Sequence, residues 1–268
     1  MFFGMNLHVG FMLKTSFGND GLFRKICEMN YSSFTLAGVL FLSVLCRNVN
    51  AQVKCTIQQD YAVAEVPSSE VKNIQMFYKD HSGNRFWNIW NVKQSVEKQG
   101  KQLVFAMNGG MYTPLFKPVG LFIDQGKEIQ SINLKNGDNN FCWKPNGVFA
   151  IDNNGKAQVT VSEKFSNSNI RFATQSGPMV LINGKMHDGF EKSTSMYIRN
   201  AVGVKANGDV FFCISLKAVT FQQLAEFMLK NNCVDALYFD GSVSEMYCPQ
   251  NSQWECGSSF GVIVGFVK

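Results

Sequence analysis

The chain has 268 residues, 25 of them basic and 20 acidic, for a net charge of +5, and 46% are hydrophobic. That is enough apolar material for one sizeable core. The lysines are scattered singly, with no basic run or stripe, so charge gives no case for a nucleic-acid partner.

Arg24 and Lys25 precede an apolar run from Phe34 to Cys46, which is followed by Val49-Asn50-Ala51 as a small-residue cleavage site. This order predicts a signal peptide over residues 1–51, cleaved after Ala51, and a secreted or periplasmic domain over 52–268. Met29, just ahead of the run, is an alternative start. The run falls short of the roughly 20 residues a spanning helix needs, so no stable membrane span is expected after processing. An uncleaved or lipid anchor is the competing reading; Cys46 invites the latter, but bulky Leu45 before it fits poorly. Without the leader the net charge falls to +3.

Six cysteines then remain: Cys55, Cys142, Cys213, Cys233, Cys248 and Cys256. They form no CxxC pair, and only His81 and His187 remain as imidazoles, so neither a metal centre nor another cofactor is expected. Asp124 and Asp138 are loop carboxylates that leave calcium open, though without EF-hand spacing. Export permits disulfides. Cys248 and Cys256, flanking the turn-rich PQNSQWE, are the best-placed pair, whereas Cys213 in VFFCIS reads as a core thiol.

An amphipathic stretch at Ile89–Gln99 predicts a helix, and KQLVFAMN after it a buried strand. Four hairpins follow: VGLFIDQGKEIQSIN around Gly126, GVFAIDNNGKAQVTVS at Asn153-Asn154-Gly155, MVLINGKM at Asn183-Gly184, and AVGVKANGDVFFCIS at Asn207-Gly208. Asn-Gly between β-rich runs signals a tight turn because both positions favour positive φ. Thr220 and Gln223 form a capping box for a second helix, with Phe221, Leu224, Ala225 and Met228 on one face. That helix ends at Asn231-Asn232 and delivers a strand at Ala236–Asp240. The pattern predicts a single α+β domain with a large, mainly antiparallel or mixed β-sheet and packed helices.

Two segments about 130 residues apart, LVFAMNGGMY (Leu103–Tyr112) and ALYFDGSVSEMY (Ala236–Tyr247), each run as an apolar strand into a glycine turn headed by a polar residue, Asn108 or Asp240. Such strand ends present side chains and backbone amides at a sheet edge, where ligands commonly bind. Around them lie PVGLFID, NFCWKPNGVFAID, ATQSGPMVLINGK and RNAVGV. With these blocks in this order over Leu103–Tyr247, the sequence resembles the phosphodiester glycosidase family, which includes the lysosomal "uncovering" enzyme, and its exported bacterial branch in particular.

The resemblance implies cleavage of a sugar 1-phosphodiester at the glycosidic bond, with a carbohydrate or glycan phosphodiester as partner and an N-acetylglucosamine-type sugar as the best expectation. That reaction needs a cation for the phosphate and a carboxylate for the oxocarbenium-like centre. Arg199, in YIRNAVGV, is the expected cation, its fork suited to bidentate phosphate binding. Asp240 is the expected carboxylate. Glu245, where the family usually has a small hydroxyl residue, is a second candidate acid, and His187 a candidate acid–base group. Asn108 with Gly109, Gly110 and Tyr112, then Lys144 and Asn146, the bend Gln175-Ser176-Gly177, and Gly241, Ser242 and Ser244 are the expected substrate-binding residues. No GxSxG elbow or GxxxxGK[ST] loop occurs, which speaks against a serine hydrolase or nucleotide hydrolase. A glycan-binding domain that has kept the pocket and lost the chemistry is the alternative of a different class.

Overall fold

The strands form where apolar residues alternate between two faces, each with something to bury. The computed structural model describes residues 52–241, 243–249 and 257–268. The predicted leader with Cys46, Ser242 and Cys256 lie outside them. In chain order the first elements are β1 (Lys54–Gln58), β2 (Tyr61–Val66), β3 (Ile74–Phe77), helix α1 (Ile89–Lys98) and β4 (Leu103–Asn108). Next come β5 (Phe122–Asp124), β6 (Lys127–Gln130), β7 (Gly147–Asp152), β8 (Ala157–Val161), β9 (Ile170–Ser176), β10 (Met179–Ile182) and β11 (Lys185–Met186). The chain closes with β12 (Asn200–Lys205), β13 (Val210–Ser215), helix α2 (Phe221–Lys230), β14 (Cys233–Tyr238), β15 (Met246–Tyr247) and β16 (Ile263–Val267).

The single large sheet predicted from sequence is instead three antiparallel sheets. A seven-stranded sheet runs β1-β2-β13-β12-β14-β10-β11, a four-stranded one β15-β4-β16-β3, and a five-stranded one β6-β5-β9-β7-β8. The central strands β2, β4, β7 and β13 are buried on both faces, so one sheet would leave a face in water. On β2, Ala62, Ala64 and Val66 point into a core shared by all three sheets, together with Phe105, Met107, Phe149, Phe212 and Leu237. The intervening Tyr61 and Val63 point the other way, onto α2. Likewise α1 buries Ile89, Val92 and Val96 on the outer face of the four-stranded sheet.

All four hairpins form as predicted. At Gln125-Gly126 and Asn183-Gly184 both turn residues have positive φ, the geometry that matches strand twist. Helix α2 carries the Thr220–Gln223 capping box and buries Phe221, Leu224, Ala225, Phe227 and Met228. Each such large side chain contributes about 2 kcal/mol of apolar burial. The strand expected at Ala236–Asp240 starts earlier and stops at Tyr238, so Asp240 stands two residues beyond the ladder.

The cysteine pairing differs from expectation. Cys55 of β1 is joined to Cys248, with Cα atoms 6.4 Å apart across 193 residues of sequence. Cys55 is the buried position of its edge strand, and β15 carries Cys248 to it. The bond therefore ties the seven-stranded sheet to the four-stranded one, which excludes the predicted Cys248–Cys256 bond. Cys213 is a buried free thiol, as expected. No helix among the described residues is long and apolar enough to cross a membrane.

Candidate active site

The strands that open the two glycine-turn segments, β4 and β14, sit in different sheets, and the second segment crosses to the first at β15, which pairs with β4. Strand β4 ends at Asn108 in the four-stranded sheet; β12 begins at Asn200 in the seven-stranded sheet and pairs with β14, which leads to Asp240. Asn200 bridges them. Its Nδ2 donates to Asn108 Oδ1 at 2.8 Å, and its Oδ1 accepts from the Asp240 amide at 2.8 Å. Asn108 Oδ1 also accepts from the Glu245 amide at 3.1 Å, and the Asn108 amide donates to the Glu245 carbonyl at 3.4 Å. Ser244 Oγ donates to the Asp240 carbonyl at 2.8 Å. Asn108 and Asn200 are fully buried, where paired amides hold geometry and unpaired ones are costly.

Two glycines let this junction close. A Cβ on Gly241 would collide with the Tyr238 hydroxyl and stand 3.4 Å from the Ile198 carbonyl. One on Gly110 would strike Thr174 Oγ1 and lie 2.5 Å from the Gln175 carbonyl. Close backbone approach, rather than positive φ, is what requires glycine here. Gly109 spends its amide on the Val262 carbonyl at 2.8 Å, so that N–H is not available to a ligand.

Arg199, one residue before β12, is fully buried. Nε donates to the Val219 carbonyl at 2.9 Å, and Nη2 to the carbonyl and hydroxyl of Ser195 at 3.0 and 2.9 Å. The guanidinium carbon lies 3.6 Å from the Phe221 ring centroid, close enough for cation–π attraction. None of the ion pairs among the described residues involves it. Burial lowers its pKa, opposed chiefly by the Tyr238 phenol. The same burial pushes the Tyr238 phenol up, with Arg199 opposing and Asp240 adding to the rise. The hydroxyl of Tyr112 is pushed up to about 12, first by burial and then by the charges of Asp240 and Glu245. These residues share one electrostatic neighbourhood.

Four buried side-chain polar atoms among the described residues lack a hydrogen-bond partner, and three belong here: Asn108 Nδ2, Arg199 Nη1 and Glu245 Oε2. Tyr61 Oη, on the α2 face, is the fourth. Such atoms are rare in folded proteins and need a reason, a ligand among them.

The remaining predicted residues lie apart from this network or serve it indirectly. Ser176 Oγ donates to the Phe239 carbonyl at 2.7 Å and so supports the approach to Asp240. Gln175 has both ends of its amide committed, accepting from the Leu121 and Asn133 amides and donating to the Asn133 carbonyl and Ser162 Oγ. Asn146 donates to the Phe141 carbonyl at 2.9 Å and accepts from Lys144, which also pairs with Glu163 at 2.8 Å. A Cβ on Gly177 would meet Asn146 at 2.7 Å, so this bend packs on that cluster.

His187 accepts from the Gly189 amide at Nδ1, which leaves Nε2 as donor to the Lys144 carbonyl at 3.0 Å. Its ring stacks on Phe190, Phe190 stacks on Phe221, and Phe221 carries Arg199. Both nitrogens are therefore occupied by backbone, and the ring's visible role is to floor the arginine shelf. Asp124 and Asp138 gain no further ligands; among the described residues no three His, Cys, Asp or Glu side chains cluster as a metal site.

Asn200 and Tyr238 are site residues that the sequence does not mark. Asn200 lies inside RNAVGV, but an asparagine opening a strand carries no signal until its partners are known. Tyr238 reads in sequence as one more apolar residue of ALYFD.

An antiparallel β-rich domain with a polar network at converging strand ends is thus the class that fold and site define. The phosphodiester glycosidase family matches residues 101–263, and this chain belongs to that family. It is 32% identical to the uncharacterized protein YigE of Escherichia coli strain K12 over 180 residues, covering 66% of this chain and 70% of that one. Among solved structures it is similar to the catalytic domain of zebrafish N-acetylglucosamine-1-phosphodiester alpha-N-acetylglucosaminidase. That likeness has a TM-score of 0.57 at 13% identity and covers 82% of this chain and 85% of the other. A candidate exported protein of Burkholderia pseudomallei K96243 matches with TM-score 0.51 at 11% identity, over 77% and 73% of the two chains. At these identities the structural likenesses show the fold alone.

Proposed function

We propose that this protein hydrolyses a sugar 1-phosphodiester at the C1–O bond, with N-acetylglucosamine as the first sugar to test. The supporting observation is the set of three partnerless buried atoms: those on Asn108 and Glu245 belong to the network that fixes Asp240, and the one on Arg199 belongs to the residue just before Asn200, whose charge acts with that of Asp240 on Tyr238. A buried guanidinium without an ion pair is costly to the protein alone. A phosphate diester supplies the missing anion. Arg199 neutralises the phosphate as it leaves, since a phosphate monoester needs charge balance more than a strong general acid. Asp240 faces the anomeric carbon, as nucleophile or as base for water; Asn108 Nδ2 holds a substrate oxygen; Glu245 is the second carboxylate. Water supplies hydroxide to C1 and its proton to the departing phosphate, so free sugar and a phosphate monoester result.

Export belongs to the same reading. A disulfide between Cys55 and Cys248 suits an oxidising compartment, and a signal peptide ending at Ala51 would deliver the domain there.

The test is release of free N-acetylglucosamine from its 1-phosphodiesters by the purified protein, with Arg199→Ala and Asp240→Asn in parallel. Turnover that both variants abolish while staying folded supports the reading. Saturable glycan binding with no turnover on a broad panel of sugar phosphodiesters moves the assignment to a binding domain.

A further inference from the structure

Basic residues that stand singly along the sequence gather at one place away from the site above. A cavity of about 280 Å³ opens between β3, the end of β5, the start of β9 and the C-terminal turn of α1. Lys79, Lys101 and Arg171 all line it, each from a different stretch of chain. Its size is close to the roughly 300 Å³ at which small-molecule sites begin. In the four-stranded sheet β16 stands between β3 and β4. Phe77, on the cavity wall, aligns through Ile263 with Asn108, two strand spacings or about 10 Å away. The cavity shares no residue with the network around Asp240.

Its cations are uncommitted. None of the three belongs to an ion pair among the described residues. Lys79 Nζ stands 5.6 Å from the Tyr78 ring centroid, and Lys101 has no side-chain partner among the described residues. Arg171 makes one long bond, from Nη1 to the Lys72 carbonyl at 3.4 Å. A cleft that collects one sign of charge concentrates its field on the opposite sign.

Two carboxylates line the same cavity, and they differ. Asp80 is committed to its own turn: Oδ1 accepts from the Ser82 and Asn84 amides at 2.9 and 2.8 Å, and Oδ2 from Asn84 Nδ2 at 3.4 Å. Asp124 is half-buried, and among the described residues no hydrogen bond reaches its carboxylate, whose pKa burial raises against the opposing charge of His81. It is thus a free acceptor on the wall. The side-chain amides of Gln75 and Gln99 face the same space, and each carries donors and an acceptor.

We propose that this cavity is a second binding site, for a polyhydroxylated anion of monosaccharide size, a hexuronate unit. Arg171 and the two lysines take the carboxylate; Asp124, Gln75 and Gln99 take the hydroxyls. A neutral sugar would leave the cations unpaired, and a simple anion would leave Asp124 and the amides unused. The site stands whether or not Asp240 and Arg199 hydrolyse a phosphodiester.

Isothermal titration of the purified protein with sodium glucuronate, glucose and sodium acetate, at one ionic strength and pH 7, tests it. Glucuronate should bind saturably and at least tenfold tighter than either of the others. Both lysines are exposed, so Lys79→Ala and Lys101→Ala should keep the wild-type melting temperature. Each should weaken glucuronate about tenfold, the scale of one lost charge-assisted hydrogen bond. Asp124→Ala should narrow the preference for glucuronate over acetate, because it removes a hydroxyl acceptor and spares the carboxylate's partners. Arg199→Lys should leave glucuronate binding unchanged.

Glucose or acetate binding as tightly as glucuronate overturns the proposal, as does the absence of saturable glucuronate binding. Glucuronate binding that Arg199→Lys loses and both lysine variants keep places the anion in the candidate active site and overturns the second site.

Discussion

Asn200 Nδ2 donates to Asn108 Oδ1 at 2.8 Å across 92 residues of sequence, joining the strand end of one sheet to the strand start of another. The same side chain receives the Asp240 amide on its oxygen. A residue with no expected chemistry thus sets the distance between the two segments that carry it.

Asn200→Ala should accordingly cost about 1–3 kcal/mol of stability, because the Asp240 amide loses its buried acceptor and Asn108 Oδ1 loses one of its donors. Activity should fall by at least tenfold even at temperatures where the variant is fully folded. Urea denaturation beside initial rates checks both. Wild-type rates in a folded Asn200→Ala would remove Asn200 from the positioning role.

Arg199 yields a ligand-linked prediction. A buried cation awaiting an anion should bind inorganic phosphate, and binding raises stability by about 2.7 kcal/mol at a hundredfold excess over Kd. The melting temperature of the wild type should therefore climb with phosphate but not with equal ionic strength of chloride. Arg199→Lys keeps charge but loses the fork, so its climb should be smaller. An identical phosphate response in Arg199→Lys would show that the anion binds elsewhere.

The Cys55–Cys248 bond closes a separation of 193 residues. On the chain-entropy account, a loop this long contributes about 5 kcal/mol, and losses of about 2–5 kcal/mol are typical when a native bond is removed. Cys55→Ser and Cys248→Ser should each show such a loss in denaturant titrations, and Cys256→Ser should not. A non-reducing peptide map joining the Cys55 and Cys248 peptides in Cys256→Ser would confirm the pairing directly.

Asp124 supplies a pH dependence. Burial raises its carboxyl pKa above the ordinary 3.8, only partly opposed by His81. The folded protein then holds this proton more tightly than the unfolded chain, so stability falls as pH rises from about 3.8 through the folded value. Asp124→Asn removes that loss. It should raise the melting temperature at pH 7 and make no difference below pH 3.8. A gain at low pH, or none at pH 7, would contradict the sign.

How much of this was legible beforehand divides by distance along the chain. Gln125-Gly126 and Asn183-Gly184 announce their turns because the φ requirement is local, and Thr220 with Gln223 caps α2 within one turn. Leu103–Asn108 reads as a buried strand from its own residues. The division into three sheets does not, because β4 finds β16 and β15 rather than β5, and only a strand's outer face shows that it needs a second partner. The disulfide fails for the same reason: Cys256 is near Cys248 in sequence, whereas Cys55 reaches it through sheet packing. Of the site, Asn108, Arg199, Asp240 and Glu245 were visible as motif residues, and the structure brings them into one neighbourhood. Gln175, Asn146 and His187 were visible too, but their hydrogen bonds are taken up by the protein. Asn200 and Tyr238 carry their meaning only in three dimensions.

The account turns on which bond is broken. Hydrolysis of an N-acetylglucosamine 1-phosphodiester in water enriched in oxygen-18, followed by mass spectrometry of both products, decides it. Cleavage at C1–O, with Asp240 at the anomeric carbon and Arg199 on the phosphate, predicts the label in the released sugar and none in the phosphate monoester. Label in the phosphate would mean attack at phosphorus and would contradict the roles given to both residues.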